Sequence, residues 1–519
     1  MKYNISLIPD KQKLDLLDIL AYTCRWMGRV AKETFSGMKW MMLQKMTLQP
    51  LQLVFTMFLA RLVTPEEIGI LGLTAIFFAI AGCLADCGFG TALIRKQDRT
   101  EEDINTLFWF NAGMSLLLAG IIYACAPLFV DFFNQPALLW LTRASACMMF
   151  FNSLGSVHFT LYRCRRDFKT PALIQTIVAI LSMPLCIGLA FAGWGSWAIM
   201  TQGIFSGLCI LVVIWIVSPW KPRMVFSTKS FKEMFGYGSK LALSGMLDTG
   251  FMNARSLIIG RFYSPADLAY YDRGRHLAAV LPTTVCGMLG SVTFPILATL
   301  QDDPERLRQV YRKYLRVFTL TITWACLCIA AYSKPFVAVM YGPQWEQAVV
   351  YTQMVCFSYA IYHIHVINLN LLSVLGRSDL FLRLEVIKKI LSLSVMIYCA
   401  TISVVAMCIG SVTCSYICLL INTYYSRQLI KLSLWRQLMD YTPLFILAFL
   451  TTWIPAWFIM QIPVLPILQF IIGGIVSSIL YFSILYLIKN NALNDVLLLL
   501  QPRVPTRVLK RLISVFIRP

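Results

Sequence analysis

Charge is what this sequence has least of. Only 13% of its 519 residues are Asp, Glu, Lys or Arg, and 58% are hydrophobic. A water-solvated domain carries about 25% charged residues, so this list cannot build a soluble surface. Acids are scarcer than bases, 25 against 45, and there are only four His. No nucleotide-binding loop is present: the glycines of "FGYGSKLALSG" (Phe235–Gly245) lack the Gly-Lys-Ser/Thr order and open an apolar run. No ATPase signature and no nucleophile–base constellation can be placed, which predicts a protein that is not an enzyme and needs no cofactor. The sixteen Cys lie mostly inside apolar runs, and pairs such as Cys83/Cys87 and Cys414/Cys418 have no His or acid beside them. That argues against a metal site and against a disulfide framework. The polar first 35 residues are not a detachable signal peptide.

Long apolar runs are what is there. Reading them between polar breaks gives fourteen spans: 37–62, 68–90, 104–126, 137–162, 170–192, 194–217, 234–262, 267–298, 314–333, 346–374, 384–407, 409–430, 441–461 and 466–488. Runs of this length cross about 30 Å of hydrocarbon as helices. The expected fold class is an all-α polytopic membrane protein, with kinks at Pro50 and Pro282. The bases supply an independent check. Thirty-six Lys and Arg fall in the two tails and in alternate loops, three at or in the intervening loops (Arg61, Arg261, Lys334), and six inside spans. Fourteen spans with both termini cytoplasmic satisfy that alternation. Dispersal in short clusters between apolar runs also argues against nucleic acid as the partner of the +20 net charge.

The chain writes one local pattern twice. "RLVTPEEIG" (Arg61–Gly69) joins spans 1 and 2, and "RFYSPADLA" (Arg261–Ala269) joins spans 7 and 8. Pro and an acid start the next helix in each copy. Their matched positions predict two parallel six-helix halves, at 37–217 and 234–430, joined by a cytoplasmic linker at 218–233. A helix pair at 441–488, a leader at 1–36 and a basic tail at 489–519 complete the expected organisation. Parallel repeats recur among transporters, with the substrate path between the halves.

Four stretches carry a family likeness: "DCGFGTALIRKQDRTEEDINTLFW" (Asp86–Trp109), "AYYDRGRHLAAVLP" (Ala269–Pro282), "FPILATLQDDPERLRQVYRKYLR" (Phe294–Arg316) and "YGPQW" (Tyr341–Trp345). They resemble Wzx-type polysaccharide flippases, of the multidrug/oligosaccharidyl-lipid/polysaccharide exporter superfamily, over residues 27 to 488. The resemblance implies two six-helix bundles around a central cavity, two accessory helices, and an inner-membrane location. It also implies translocation of O-antigen, capsule or exopolysaccharide units on polyprenyl pyrophosphate, with polysaccharide polymerase and ligase machinery as neighbours. The first 26 residues depart from the family pattern, since "MGRVAKETFSGMKW" from Met27 reads as a usual start; a real leader and a misassigned start codon both remain open.

Charges inside spans cost about 2.5–3.5 kcal/mol to insert and mark functional positions. The bases are Lys45, Arg143, Lys240, Arg255, Arg273 and Arg275, and the acids are Asp86, Asp248 and Asp272. At helical spacing Lys45, Gln49, Gln52 and Thr56 share one stripe, as do Lys240, Ser244, Asp248 and Arg255 on the equivalent span of the second half. Asp272, Arg275 and His276 share a face. One reading gives these bases the pyrophosphate of a lipid-linked substrate and the acids a role in ion coupling. The other pairs them internally, Lys45 with Asp86, Arg255 with Asp248 and Arg275 with Asp272, which leaves three bases over. His363 and His365 read as a packed or cavity-lining pair, and Trp194, Trp197, Trp345, Trp453 and Trp457 as interfacial anchors. A cation-coupled drug or metabolite antiporter of the same fold is the alternative function, although it would favour an acidic cavity. A membrane-embedded glycan polymerase or ligase would want longer outer loops than these spans leave.

Overall fold

The computed structural model describes Trp40, residues 43–96, residues 98–490 and Leu493. The leader read at 1–36 and nearly all of the tail read at 489–519 lie outside them. The described chain is helical: α1 (residues 43–62), α2 (Pro65–Asp86), α3 (Phe89–Arg95), α4 (Glu101–Phe133), α5 (Leu138–Cys164), α6 (Lys169–Phe191), α7 (Ser196–Val217) and α8 (Thr228–Phe262). Then follow α9 (Pro265–Ala298), α10 (Pro304–Phe318), α11 (Trp324–Ala331), α12 (Ser333–Met340), α13 (Ala348–Tyr359), α14 (Tyr362–Val374), α15 (Ser378–Ala400), α16 (Val404–Ile430), α17 (Leu434–Ile459) and α18 (Pro466–Leu487). Among the described residues, nine helical stretches are long and apolar enough to cross a membrane. The protein is a polytopic, all-helical membrane protein.

The repeated pattern is a capping box written twice. Thr64 donates from its backbone N–H and its hydroxyl to Glu67 Oε2, at 3.0 and 2.9 Å. Ser264 does the same to Asp267 Oδ2, at 3.2 and 2.7 Å. Pro65 and Pro265 occupy the first helical position, where the missing N–H is no loss. Thr100 and Asp103 repeat the device at the start of α4.

Three spans that read as continuous are broken. Cys87 and Gly88 adopt left-handed φ values of 47° and 68° and separate α2 from α3. A π-helical turn, Thr319–Thr323, joins α10 to α11. The run at 346–374 divides between Tyr359 and Tyr362, where Thr323 Oγ1 donates to the freed carbonyl of Ala360 at 2.9 Å. In hydrocarbon a freed backbone group needs such a partner.

The chain forms two compact units. The first comprises Met1–Thr56, Ile80–Ala126 and Trp140–Met246, and the second Met57–Ala79, Pro127–Leu139 and Leu247–Pro519. The units therefore divide α1, α2, α4, α5 and α8 between them instead of following chain order. α8 begins at Thr228, within the segment read as a linker.

The first unit packs around Phe89, Leu93, Leu107, Phe108, Val157 and Leu161, with Phe110 stacked on Phe89 at 4.4 Å. Lipid tails are as apolar as Leu, so helices here associate through close fit instead of water exclusion. Gly88 and Gly238 show that fit: a Cβ on Gly238 would stand 2.5 Å from the Cys87 carbonyl oxygen. The glycines of "FGYGSKLALSG" thus serve helix contact.

In the second unit the two copies of the repeated pattern meet. A Cβ on Gly69 would lie 1.8 Å from the Pro265 carbonyl oxygen, and one on Gly260 would lie 2.1 Å from Leu73 Cδ2. The "YGPQW" turn closes on the end of α1. Trp345 Nε1 donates to the Ala60 carbonyl at 2.7 Å, and Arg61 Nη2 donates to the Val339 carbonyl at 2.7 Å. Trp345 is fully buried by these contacts, so it is not an interfacial anchor. Trp194, Trp197 and Trp457 are exposed, while Trp453 stacks on Phe449 at 4.7 Å.

Candidate functional site

The second unit gathers three of the expected bases around one acid. α8 supplies Arg255, and α9 supplies Tyr271, Asp272, Arg273 and Arg275. Arg255 donates through Nη1 to the Tyr271 hydroxyl and through Nη2 to Ser411 Oγ at 2.8 Å. Its guanidinium also lies over the Tyr271 ring, 5.5 Å from the centroid, while its buried Nε has no partner. Asp272 shares α9 with Arg273 and Arg275, and the charges of both and of Arg255 act on its carboxylate. Arg273 lies over Tyr341 at 5.9 Å. Gly274, between the two arginines, lets α9 approach α13: a Cβ there would stand 2.9 Å from the Ala348 carbonyl and 3.0 Å from the Thr352 nitrogen. Three guanidiniums against one carboxylate leave the cluster basic.

The first unit holds a different arrangement. One of its cavities, about 430 Å³, is lined by Asp86 at the end of α2, Thr91 on α3, Asn152, Ser156, Thr160 and Arg163 on α5, and Gln175 on α6. Asp86 accepts hydrogen bonds from the backbone of Gly90 and Gly88 and from Asn111. Its carboxylate therefore caps the N-terminus of α3, where unpaired N–H groups favour an anion. Arg163 is its charged neighbour. Gln175 accepts from Gln44 Nε2 at 2.9 Å. Beyond the end of α3, Lys96 bonds Asp103 at 2.9 Å and Glu233 at 3.1 Å. The hydrogen bond to Asp103 holds the Lys96 ammonium above its usual range.

Other expected residues lie elsewhere. Lys45 and Lys240 are exposed on α1 and α8 of the first unit. Arg143 is held by aromatic faces, 4.9 Å from the Tyr123 ring and 5.1 Å from the Trp140 ring, and its Nε has no partner. Two of the internal pairings are replaced. Asp248 bonds Lys389 instead of Arg255, and Asp86 takes backbone amides and Asn111 instead of Lys45. His363 and His365 are packed inside the second unit, against Thr319 Oγ1 and Asn422 Nδ2, each at 2.8 Å. The charge pattern places Arg163 in a loop cluster, and no sequence signal marks Ser411, Asn152 or Gln175. Only their helical phase relative to Arg255 and Asp86 could have raised them.

Comparison with known proteins agrees with this architecture. A sequence model described as "Polysaccharide biosynthesis protein" matches residues 58–350, more than half of the chain. The teichuronic acid biosynthesis protein TuaB of Bacillus subtilis is 24% identical over 328 residues, which is 62% of this chain and 67% of that protein. The lipopolysaccharide biosynthesis protein WzxC of Escherichia coli is 24% identical over 328 residues, 63% of this chain and 66% of that one. These matches thus span about two thirds of the relatives' length. Among solved structures, the lipid II flippase MurJ in an inward closed conformation superposes with a TM-score of 0.63 at 13% identity, covering 86% of this chain and 99% of that chain. A multidrug resistance transporter of the MATE family, inward-facing, gives 0.56 at 16% identity over 75% and 94%.

Proposed function

Because the chain belongs to the polysaccharide biosynthesis protein family, we propose that it flips oligosaccharide repeat units, linked to polyprenyl pyrophosphate, across the inner membrane by alternating access. The observation that supports this reading is the basic cluster of the second unit, where the charges of three arginines, Arg255, Arg273 and Arg275, act on one carboxylate, Asp272. A pyrophosphate offers several anionic oxygens to such donors, and guanidinium grips them two at a time. Tyr271 and Ser411 orient Arg255 from two sides, so its planar fork is held before substrate arrives. A cationic drug would meet net positive charge here, which disfavours the antiporter reading. Ion-gradient coupling through Asp86, Asp248 or Asp272 belongs to the same proposal, as does handover to polymerase and ligase machinery.

The test is binding of undecaprenyl pyrophosphate by the purified protein, alongside surface-glycan display in cells lacking it. Arg255→Gln, Arg273→Gln and Arg275→Gln should each lower binding about ten- to a hundredfold, the worth of a charge-assisted contact. Arg255→Lys should rescue poorly, because an ammonium cannot reproduce the fork. Parental binding and display by all three Gln variants would move the antiporter reading ahead.

A further inference from the structure

We propose that the first-unit cavity lined by Asp86, Asn152, Arg163 and Gln175 is a glycan subsite that takes one neutral pyranose residue of the substrate's head group. The inference rests on the flippase reading above and assigns to that substrate a second contact, separate from the basic cluster. Size comes first: about 430 Å³ is within the ~300–1,000 Å³ of small-molecule pockets. It is too roomy for a single bare ion.

Charge balance chooses the ligand class. The cavity's charged lining is one carboxylate, Asp86, and one guanidinium, Arg163. A pyrophosphate needs surplus positive charge, and a cation needs surplus negative charge. An uncharged ligand with many hydroxyls needs neither. It needs donors and acceptors side by side, because each hydroxyl both gives and takes a hydrogen bond. The lining supplies that mixture through the amides of Asn152 and Gln175 and the hydroxyls of Thr91 and Thr160, with Phe151 and Phe159 as apolar walls.

The site is also held open by its backbone. A Cβ on Gly207 would stand 2.7 Å from Asn152 Oδ1, and one on Gly90 would stand 3.1 Å from Asp86 Oδ1 and 3.3 Å from Thr160 Oγ1. The two glycines make room for these polar atoms. Thr91, Asn152 and Arg163 are exposed at this cavity, and Thr160 is buried with its hydroxyl donating to the Ser156 carbonyl, so the exposed polar groups remain open to an occupant in a bundle where lipid would offer them no partner. Asn111 Oδ1, on the amide that bonds Asp86, is buried with no partner of its own.

The experiment is saturation-transfer NMR on protein purified without sugar-based detergent. The probes are methyl β-D-glucopyranoside, methyl β-D-galactopyranoside and methyl β-D-glucuronide, with undecaprenyl pyrophosphate binding measured on the same samples. The parent should bind at least one neutral pyranoside in preference to the glucuronide. Asn152→Leu and Gln175→Leu should weaken that binding about three- to tenfold each, the worth of a neutral hydrogen bond, and leave undecaprenyl pyrophosphate binding unchanged. Asn152→Ala, which only removes atoms, gives the same reading if the Leu variant misfolds. Retained pyrophosphate-lipid binding is the control for folding. Absence of a pyranoside signal from the parent, preference for the glucuronide, or signals that the variants leave unaltered would overturn the subsite. If undecaprenyl pyrophosphate still binds in that case, the flippase reading survives it. Loss of both would remove the two together.

Discussion

At the scale of single residues, a charge in an apolar run was legible in the sequence and its partner was not. Each of the nine intramembrane charges stands out against its hydrophobic neighbours. Which neutral groups meet it depends on helices far away in the chain, as with Ser411, 156 positions from Arg255. Asp86 shows the consequence. Its carboxylate is engaged by two backbone amides and by Asn111, so two roles compete: cap of α3, or coupling site. Asp86→Asn separates them, since an amide oxygen still accepts from a backbone N–H. If the residue couples transport to an ion gradient, this variant should bind undecaprenyl pyrophosphate normally yet flip it equally with and without an imposed gradient. A pure cap should instead lose about 0.5–2 kcal/mol of stability or less and keep its gradient dependence. Thermal unfolding and gradient-driven flipping in proteoliposomes, measured on one preparation, decide between them.

At the scale of helices, hydropathy showed a chain of long apolar helices, nine of them long and apolar enough to cross a membrane among the described residues, and missed their breaks. A window of about 19 residues averages across Cys87–Gly88, Thr319–Thr323 and Ala360–Ile361, because each break is only two to five residues long. Left-handed φ at a Cys, or a shift from α to π hydrogen bonding, leaves no mark on hydrophobicity. Helix starts were more legible, because a capping box is local chemistry: Thr64 with Glu67 and Ser264 with Asp267 need only three residues' separation. That the two boxes face each other through Gly69 and Pro265 is long-range information, and the repeated pattern only hinted at it. This crossing makes a prediction. Gly69→Ala places a Cβ where the Pro265 carbonyl already stands, and backbone cannot step aside as a flexible side chain does. The variant should populate a state in which the crossing has parted, so that a Cys introduced at the buried Leu73 reacts faster with a water-soluble maleimide. Gly82→Ala is the control, because its Cβ would meet nothing within 4 Å. Equal labelling in the two variants would show that the contact stays closed by some other means.

At the scale of the whole molecule, orientation rests on charge alone. Helices position the loops, but a bilayer distinguishes its two sides through Lys and Arg near the span ends. The clusters Arg95/Lys96/Arg99, Arg163/Arg165/Arg166/Lys169, Arg306/Arg308/Arg312/Lys313/Arg316 and Arg377/Arg383 alternate with turns that hold almost no bases. We therefore predict that the termini and the segments at 91–103, 163–169, 218–233, 299–313 and 375–383 face the cytoplasm, and that the turns at Glu66 and Asp267 face away from it. Between Glu66 and Arg165 the chain runs through α2 with α3, then α4, then α5. Three crossings put those two positions on opposite sides. Alkaline phosphatase fused after Glu66 should be active and after Arg165 inactive, with a cytoplasmic reporter giving the reverse. Moving the balance of charge should weaken the preference. Replacing Arg163, Arg165 and Arg166 with Gln removes three of the four bases in that loop and should raise phosphatase activity at Lys169. The same side for Glu66 and Arg165 would refute the fourteen-span count. It would also undo the parallel relation between the two capping boxes, because an even number of crossings in the first half is what lets the second half begin again at Thr228 in the same orientation.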